Sequence, residues 1–378
     1  MRAPRAEAVV DLSAVAGNVR AIGDAVGAAE VMAVVKADGY GHGLVPSARA
    51  ALAGGATWLG TAFPEEALAL RAAGVTARVL TWLPTPGEDW DPVLAADVDV
   101  SVGAPGLLAE VEAAAVRTGR PARVHLEADT GLSRGGATPT TWPALVDAAL
   151  RAQARGTVRL VGLWSHLACA DEPEHPANAE QQARFADMLA TAQAMGADPE
   201  VRHLAGSAGA LHLPGTRYDL VRAGIATYGL APAPAVAGPA ALGLVPAMTL
   251  VAHLSLVKRV AAGKGVSYGH TETTARETTL GVVPLGYGDG VPRHASSTGP
   301  VLVAGERRRV VGRVCMDQVI VDLGADAVTA GEPAVLFGPG RHGEPTAQDW
   351  ADAAGTISYE VVTRIGARVP RTYERAPW

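Results

Sequence analysis

Short runs of apolar and β-branched residues alternate with longer amphipathic stretches between residues 31 and 230. The apolar runs have the length of buried strands, and most stretches between them repeat apolar residues at the spacing of one helix face. Pro or Asn opens those stretches and Gly closes them, as helix ends prefer. The predicted strands are "VMAVVKA" (31–37), "ATWLGTA" (56–62), "ARVLTWL" (77–83), "DVDVSVG" (97–103), "ARVHLEADTG" (122–131), "RLVGLWSHLA" (159–168), "VRHLAGSAG" (201–209) and "DLVRAGIATYGL" (219–230).

Eight strand-then-helix units predict a (β/α)8 barrel, a TIM-like fold of the α/β class. A doubly wound open sheet gives the same alternation and is the alternative. The barrel is favoured by the number of units and by polar residues near the strand ends, because barrel enzymes place their chemistry at the carboxyl ends of the strands. Those residues are Lys36, Glu127, Arg134, His166, Ser207 and Arg222.

A segment rich in Pro and Ala, "APAPAVAGPA" (231–240), ends this pattern and is typical of a linker. Further strands follow it without intervening helices, and one helix is predicted near the end of the chain, over 346–366. We therefore expect two domains, a barrel over residues 1–236 and a mostly β domain over residues 237–378.

The N-terminal segment "AEAVVDL" (6–12) precedes the first barrel strand. It could pair with the sheet of the second domain, and Ser13 would then cap the helix that follows. The first residues lack a long apolar region, so no signal peptide is expected.

Composition narrows the class of protein. Hydrophobic residues make up 48% of the 378 residues, which is ample for packed cores. The net charge is −6 with no basic stripe, so neither nucleic acid nor a membrane is an expected partner. No run of ~18 apolar residues predicts a membrane span. Two cysteines, Cys169 and Cys315, make no disulfide framework and suit a reducing cytoplasm.

The stretch "VMAVVKADGYGHG" (31–43) places a lysine at the end of a buried strand, before a turn rich in Gly. A lone lysine at such a position can extend its amine to solvent. A desolvated lysine instead has a lowered pKa and becomes a nucleophilic amine that forms an imine with a carbonyl cofactor. From the residues alone, both interpretations of Lys36 remain open.

Small residues at the ends of the seventh and eighth strands are candidates for a phosphate site. Ser207, Gly224 and Ile225 lie there, where backbone N–H groups can approach an anion. Ordinary turn glycines explain either segment alone. Together with Lys36, however, the two segments suggest pyridoxal phosphate. The histidines show no metal-binding spacing, so no metal is expected.

Polar residues also interrupt the predicted strands of the second domain. Tyr268 lies in a turn, and Tyr287 follows a strand. Met316 and Asp317 lie inside the apolar run "GRVCMDQVIVDLG". A carboxylate in a buried strand would need a partner, so Asp317 is harder to explain by packing alone.

Nine segments resemble the motifs of bacterial alanine racemases. They follow one another in the same order as in that family and span nearly the whole chain. The lysine motif and the C-M-D-Q motif are the most specific of them. The segments are "AVVKADGYGHG", "HLEADTGLSRGG", "LWSHLACAD", "RHLAGSAG", "YDLVRAGIATYGL", "VSYGHT", "VPLGYGDGVPR", "VGRVCMDQVIVDL" and "GTISYEVVTRIGARVPRTY".

The resemblance implies a cytoplasmic isomerase that depends on pyridoxal phosphate (fold type III) and interconverts L-alanine and D-alanine, which supplies D-alanine for peptidoglycan. It implies the barrel and the β domain, and a homodimer in which each active site borrows the partner's second domain. Lys36 would bind the cofactor as an imine and act as one base. Tyr268 from the other subunit would be the second base, on the opposite face of the substrate.

The resemblance also implies roles for the remaining residues. Arg222 would face the pyridine nitrogen, and His166 would link Arg222 to Tyr268. Arg134 would lie near the phenolic oxygen of the cofactor, and Met316 would offer its backbone N–H to the substrate carboxylate. The phosphate would be held by Tyr40, Ser207, Gly224, Ile225 and Tyr359. The substrate would be bound by Arg134, Met316, Tyr287 and Asp317.

The chain differs from the family pattern at four positions. Glu127 stands where many members have a carbamylated lysine, an anion that holds the arginine corresponding to Arg134. We expect Glu127 to pair with Arg134 through two hydrogen bonds, and Asp129 on the same strand face is the alternative partner. The other differences are Gly206 for Asn, Ala223 for Pro and Ser358 for Asn.

Three other functions compete with this interpretation. A racemase of the same fold that acts on another small amino acid, such as serine, is not separated from an alanine racemase by the sequence. A non-catalytic protein that binds pyridoxal phosphate is disfavoured by the second domain and by Tyr268. A decarboxylase on a related barrel would be expected to carry a carboxylate where Arg222 stands.

Overall fold

The computed structural model describes residues 4–374, so the outermost residues of the two predicted domains, 1–3 and 375–378, lie outside the described residues. The chain divides into two compact units. The first contains residues 15–39 and 44–244. The second contains the N-terminal segment to Ala14, the short segment Tyr40–Gly43 and the chain from Val245 onward.

Eight parallel strands, numbered here from the second strand of the chain, form the sheet of the first unit. They are β2 (Glu30–Val34), β3 (Trp58–Thr61), β4 (Arg78–Thr81), β5 (Asp99–Val102), β6 (Ala122–Glu127), β7 (Val158–Trp164), β8 (Val201–His203) and β9 (Leu220–Ala223). Each predicted strand is confirmed, although most end earlier than expected.

The strand order β8-β7-β6-β5-β4-β3-β2-β9 brings the two ends of the sheet together. The N–H of Arg222 in β9 donates to the carbonyl of Ala205 just beyond β8, at 2.9 Å, and the N–H of Asp219 donates to the carbonyl of Arg202 at 3.1 Å. The predicted barrel is therefore confirmed over the open sheet.

Helices connect the barrel strands. The longer ones are Leu12–Val26, Leu44–Ala53, Pro64–Ala72, Trp90–Ala95, Pro105–Thr118, Trp142–Ala154, Pro176–Ala194 and Ser207–His212. Short 3-10 helices in this unit are Pro214–Thr216, Ile225–Tyr228 and Pro239–Leu242. Proline at the first turn and Gly119 in the left-handed conformation begin and end the helix Pro105–Thr118, as its sequence predicts.

The barrel strands are buried on both faces, which explains their continuous apolar sequences. All four residues of β3 are buried, as are those of β5. A cluster of buried side chains fills the barrel interior, and its members are Met32, Trp58, Leu80, Val161, Val201 and Leu220.

The Gly-rich turn after β2 is left-handed. Five consecutive residues, Ala37 to Gly41, have φ values between +53° and +80°. A single non-Gly residue in this conformation costs roughly 1–2 kcal/mol, so the surrounding contacts must hold the turn. One such contact is the carboxylate of Glu66, which accepts a hydrogen bond from the N–H of Ala37 at 2.7 Å.

The second unit is built mainly from strands, as expected. Its six-stranded sheet has the order β16-β15-β18-β10-β1-β19, a three-stranded sheet has the order β11-β14-β17, and β12 pairs with β13. These strands are β1 (Ala6–Asp11), β10 (Met248–His253), β11 (Leu256–Val260), β12 (Gly265–Val266), β13 (Glu272–Thr273), β14 (Thr278–Val283), β15 (Pro300–Val303), β16 (Glu306–Arg309), β17 (Val319–Gly324), β18 (Pro333–Phe337) and β19 (Arg371–Glu374). The 3-10 helices are Tyr268–His270, Tyr287–Asp289 and Arg293–Ala295.

Strand β1 lies between β10, to which it is antiparallel, and β19, to which it is parallel. Alternate residues of β1 are buried, which is typical of a strand with one packed face. The predicted helix cap at Ser13 is wrong, because the helix already begins at Leu12. The side chain of Asp11 caps it instead by accepting a hydrogen bond from the N–H of Ala14 at 3.0 Å.

The single helix predicted over 346–366 is also wrong. The structure has two helices there, Ala347–Ala354 and Ser358–Thr363. Gly355 adopts the left-handed conformation with φ 66° and closes the first helix, and Ile357 is extended. Gly355, which lies inside the helix that the sequence predicts, therefore ends the first of the two helices.

Candidate active site

Lys36 follows β2 directly at the carboxyl end of the barrel. Its ammonium nitrogen lies 6.0 Å from the centre of the Trp82 ring. Burial lowers the pKa of Lys36 from its ordinary value, the positive charge of Arg134 lowers it further, and Glu66 opposes both effects. A lysine with a lowered pKa has a larger fraction of free amine, which is the form that reacts with a carbonyl. The structure therefore favours the nucleophilic interpretation of Lys36.

Arg222 is the most extensively bonded side chain of this end of the barrel. Its guanidinium donates to the carbonyls of Ser165 at 2.7 Å and Leu204 at 3.0 Å. It also donates to Nδ1 of His166 at 3.1 Å and lies 4.7 Å from the centre of the Trp164 ring. Burial lowers the pKa of Arg222 to about 9, with Glu127 opposing this effect and Arg134 adding to it. The predicted link between Arg222 and His166 is present.

His166 is held neutral by its surroundings. Burial and the positive charges of Arg222, Arg134 and Lys36 lower its pKa to about 3. Gln181 supports the same segment, because its amide donates to the carbonyl of His166 at 3.0 Å. Since Nδ1 of a neutral His166 accepts from Arg222, its proton must be on Nε2.

Glu127 ends β6 and Arg134 lies in the loop that follows, yet they do not form the expected pair. Between residues 4 and 374, no ion pair or hydrogen bond joins them. A Cβ atom at Gly135 would lie 3.0 and 3.1 Å from the two carboxylate oxygens, so the backbone of this loop packs directly on Glu127. The positive charge of Arg134 still acts on Glu127 by lowering its pKa, against a larger rise caused by burial.

Asp129, the alternative partner for Arg134, is bound to the loop backbone. Its carboxylate accepts from the N–H groups of Gly131 at 2.9 Å and Ser133 at 3.1 Å. Asp129 therefore shapes the loop that carries Arg134, instead of pairing with the arginine.

The side chain of Ser207 is hydrogen-bonded to the segment after β9. The hydroxyl oxygen of Ser207 accepts from the N–H of Gly224 at 2.8 Å and from that of Ala226 at 3.4 Å. Ser207 begins one helix, and Ile225 begins a short 3-10 helix. Two helix starts that converge after adjacent strands supply the N–H groups that a phosphate prefers.

Tyr40 and Tyr359 belong to the second unit, where their ring centres lie 6.4 Å apart. Burial raises the pKa of Tyr40 well above its ordinary value, and Tyr359 adds to the rise. The phenol of Tyr40 is therefore a neutral hydrogen-bonding group near neutral pH.

Two residues predicted to bind substrate, Tyr287 and Met316, lie in neighbouring segments of the second unit. The N–H of Tyr287 donates to the carbonyl of Cys315 at 3.0 Å, and the N–H of Gly288 donates to that of Met316 at 2.8 Å. A Cβ atom at Gly286 would lie 2.3 Å from the carbonyl oxygen of Cys315, so only glycine permits this approach. Met316 is 52% exposed and Tyr287 is 39% exposed.

The interpretation of Asp317 as a charge inside a buried strand is wrong. Strand β17 begins only at Val319, and the side chain of Asp317 is 55% exposed. It does have a partner, because Arg368 donates to it at 2.7 Å. Arg368 also contacts the buried carboxylate of Asp289 at 3.1 Å, which fixes the loop.

Tyr268 lies in a turn, as the sequence indicates, and 70% of it is exposed. The preceding residue, Ser267, has a φ of +60°, and its hydroxyl donates to the carbonyl of Arg313 at 2.7 Å. The phenol of Tyr268 is therefore presented on an ordered loop, free of burial within its own unit.

Several residues of this arrangement were not found from the sequence. Glu66 holds the turn after Lys36, and Trp82 and Trp164 line the barrel end. Arg368 and Asp289 order the loop of Met316. The aromatic residues at the ends of two predicted strands were a usable signal, because strand ends of a barrel face its site. Nothing local marks Glu66 or Arg368.

The fold and the site define a class of protein. They describe a barrel enzyme with a partly buried lysine of lowered pKa, a buried arginine and two helix starts at the carboxyl ends of its strands, joined to a β domain that presents an exposed tyrosine.

Comparisons with known proteins name the family. The model of the alanine racemase N-terminal domain matches residues 10–232, and that of the alanine racemase C-terminal domain matches residues 247–373. The chain is 59% identical to the alanine racemase of Frankia casuarinae over 369 residues, which are 98% of this chain and 96% of that protein. It is also 59% identical to that of Streptomyces coelicolor over 374 residues, again 98% and 96% of the two chains.

Solved structures agree. The crystal structure of alanine racemase from D-cycloserine-producing Streptomyces lavendulae superposes with a TM-score of 0.99 at 56% identity, covering 100% of this chain and 99% of that one. The alanine racemase of Streptomyces coelicolor gives a TM-score of 0.97, covering 98% of each chain. The chain belongs to the alanine racemase family.

Proposed function

We propose that this chain is a pyridoxal phosphate-dependent racemase that interconverts L-alanine and D-alanine. The observation that carries the proposal is Lys36, a partly buried amine with a lowered pKa at the carboxyl end of a barrel. A racemase that acts on another small amino acid, such as serine, is the second candidate. Gly206 supports this second candidate. A Cβ atom added there would lie 3.4 Å from Cε1 of His166 and 4.0 Å from the carbonyl oxygen of Arg222, so a larger residue would fit and glycine leaves that space open.

The residues fit the cofactor on chemical grounds. Lys36 supplies an amine that can react with its carbonyl. The N–H groups around Ser207 suit its phosphate, and Arg222 offers a buried guanidinium to its ring nitrogen. The groups that would hold the cofactor are Lys36, Tyr40, Arg134, His166, Ser207, Arg222, Gly224, Ile225 and Tyr359.

When bound, pyridoxal phosphate acidifies the α-proton of an attached amino acid by withdrawing electrons. The chain must then remove that proton from one face and return one to the other. Lys36 would serve one face with its amine. Tyr268 of the partner subunit would serve the other with its phenolic oxygen, and Nε2–H of His166 would stabilise the negative charge on that oxygen.

Arg222 limits the chemistry to racemisation. A guanidinium has donors only, so it cannot take a proton from the solvent and pass it to a ring nitrogen as a carboxylic acid does. With Arg222 beside it, the ring nitrogen of the cofactor would stay unprotonated and withdraw electrons weakly, which would disfavour transamination and other side reactions. Arg134, Met316, Tyr287 and Asp317 would bind and orient the substrate carboxylate.

The setting of the reaction follows from the same proposal. We infer a homodimer with shared active sites, in the cytoplasm, that supplies D-alanine for peptidoglycan. The proposed domains are residues 1–236 and 237–378, the second contributing to the partner's site. No helix between residues 4 and 374 is both long and apolar enough to cross a membrane.

The test is a substrate panel by chiral chromatography in deuterated water. Wild-type protein is expected to racemise alanine faster than serine. Lys36→Ala should abolish both directions. Tyr268→Phe should lose racemisation but exchange the α-proton of one enantiomer only, because one base remains. Tyr218→Phe removes a hydroxyl but keeps the ring that packs against Phe185, and it should be fully active. Faster turnover of serine, or equal exchange from both enantiomers in Tyr268→Phe, would contradict the proposal.

A further inference from the structure

The interior of the barrel contains a row of buried polar side chains that the proposed reaction does not use. Asp99, His125 and His203 are completely inaccessible to solvent, and Arg222 is 5% exposed. Barrel interiors are usually filled by branched apolar side chains. Buried polar groups lower stability unless they are fully hydrogen-bonded, so their presence here calls for a role.

The four side chains form one unbroken chain of hydrogen bonds. Nη1 of Arg222 lies 3.0 Å from Nδ1 of His203, and Nε2 of His203 lies 2.9 Å from Nδ1 of His125. Nε2 of His125 lies 3.2 Å from a carboxylate oxygen of Asp99. Asp99 is the first residue of β5 and His203 is the last residue of β8. The chain therefore runs from the amino end of the barrel to the end that carries Lys36.

Arginines anchor the far end of this chain. Arg78 contacts Asp99 at 2.9 Å and Arg123 contacts it at 2.5 Å. Although burial opposes the change, the hydrogen bond from His125 and these two arginines lower the pKa of Asp99, which keeps it a carboxylate. The arginines line a cleft at the amino ends of the strands together with Arg71, Thr76, Asp97, Arg159 and Glu200.

The direction of every hydrogen bond in the chain is fixed by its two ends. An arginine has donors only, so Nδ1 of His203 must accept and its proton must be on Nε2. That proton is donated to His125, whose own proton is therefore on Nε2 and is donated to the Asp99 carboxylate. Burial lowers the pKa of both histidines, which keeps each of them neutral with a single proton.

We propose that Asp99, His125 and His203 are positioning residues that orient the Arg222 guanidinium by imposing one tautomer on both imidazoles. If the Asp99 carboxylate no longer accepts from His125, or His125 no longer accepts from His203, the proton of His203 can move to Nδ1. It then faces an N–H of Arg222. Two donors then oppose each other, and the guanidinium must turn away from Trp164 and His166. The catalytic consequence rests on the proposed place of Arg222 beside the cofactor ring, whereas the tautomers do not.

Nuclear magnetic resonance of the protein labelled with ¹⁵N-histidine tests the tautomers directly. His125 and His203 are each expected as neutral Nε2–H forms at pH 7, with and without pyridoxal phosphate, and their signals are assigned by His125→Gln and His203→Gln. A proton on Nδ1 of either residue, or on both of its nitrogens, overturns the inference. This measurement holds even for a protein that shows no racemase activity, so failure of the proposed function is seen separately.

Variants of His125 test the consequence for the reaction. His125→Gln keeps a donor toward Asp99 and an acceptor toward His203, so kcat is expected within about threefold of wild type. His125→Phe keeps a ring against Trp58, which lies 5.5 Å away, but breaks the chain. Its kcat should fall about tenfold or more while KM changes less than about threefold. Trp58→Phe keeps an aromatic ring against both His125 and Arg78 and leaves every hydrogen bond from Asp99 to Arg222 in place, so it should keep its kcat. Equal loss of kcat in His125→Gln and His125→Phe, at equal melting temperatures, would reduce the histidine to a packing role and overturn the proposal.

Discussion

The carboxyl group of Glu127 is partly buried, and this burial disfavours its charged form. Burial raises its pKa to about 7 from an ordinary value of 4.5, with Arg222 and Arg134 opposing the rise and Asp129 adding to it. The loop backbone at Gly135 packs on the carboxylate, and no ion pair with Glu127 is present in the part of the chain that the structure describes. Ionising Glu127 therefore costs stability, although two arginines lower this cost.

Removing this charge should stabilise the protein at high pH. A raised carboxyl pKa means that the folded protein binds the proton more tightly than the unfolded chain. The contribution of Glu127 to stability is therefore complete below pH 4.5 and falls as the pH rises to about 7. Because the side chain is only partly buried, we expect Glu127→Gln to raise the free energy of unfolding by about 1–2 kcal/mol at pH 8 and by little at pH 5.

Urea denaturation at the two pH values checks this expectation. Asp129→Asn is the matched control, since Asp129 accepts from the N–H groups of Gly131 and Ser133 and should give no gain at pH 8. The same Glu127→Gln variant should leave kcat/KM within about threefold of wild type, because no hydrogen bond or ion pair joins Glu127 to Arg134 between residues 4 and 374. A gain in stability that is equal at both pH values would show that charge is not the cause.

At the scale of elements, the left-handed turn Ala37–Gly41 is the segment under most strain. Gly41 has a φ of +80°, and a Cβ atom there would lie 2.4 Å from the carbonyl oxygen of Val362. Gly41→Ala should therefore cost more than the ~1–2 kcal/mol of a left-handed residue, roughly 3 kcal/mol or above.

Gly27→Ala separates the two contributions. Gly27 also has a positive φ, of +71°, but no atom lies within 4 Å of the added Cβ. This variant should lose only ~1–2 kcal/mol of unfolding free energy in urea. Equal losses in Gly41→Ala and Gly27→Ala would mean that the segment around Val362 moves aside and that the turn is not tightly held.

Elements were predictable where local rules and tertiary packing agree. The helices Pro64–Ala72 and Pro105–Thr118 begin at Pro as their sequences indicate. The rule failed at Gly355, because a glycine within a helical pattern fits both the interior and the end of a helix. The turn after Lys36 showed its glycines in the sequence. It did not show that Ala37 is left-handed, since that depends on Glu66, which lies 29 residues away.

Some residues of the candidate site could likewise be predicted from the sequence, and others could not. Strand-end residues such as Lys36 and Arg222 were predictable, because the carboxyl ends of parallel strands meet at one end of a barrel. The chain from Asp99 to His203 was not, because its hydrogen bonds join residues 26 and 78 positions apart and depend on strand register. The pairing of Glu127 with Arg134 was expected because Glu127 stands at the family's carbamyl-lysine position, and the structure contains no such pair between residues 4 and 374.

At the scale of the whole molecule, the proposed dimer makes a quantitative prediction. Lys36→Ala and Tyr268→Phe subunits are each inactive alone. After exchange at equal amounts, half of the dimers are mixed and each mixed dimer has one intact site, so about a quarter of wild-type activity should return. Mass spectrometry verifies that subunits have exchanged, and each variant mixed with itself is the control. Exchange without recovery would mean that both bases come from one chain.

Strand β1 also sets an order of events during synthesis on the ribosome. Ala8 pairs with Leu250 on one side and with Arg371 on the other, so its partners emerge only after the barrel strands. At roughly 5–20 residues per second, the first of these partners follows β1 by roughly ten to fifty seconds. During that interval the backbone edges of β1 are unpaired, and its apolar face is uncovered. The N-terminal segment of a nascent chain of this enzyme therefore needs protection for the longest time, because it is made first and paired last.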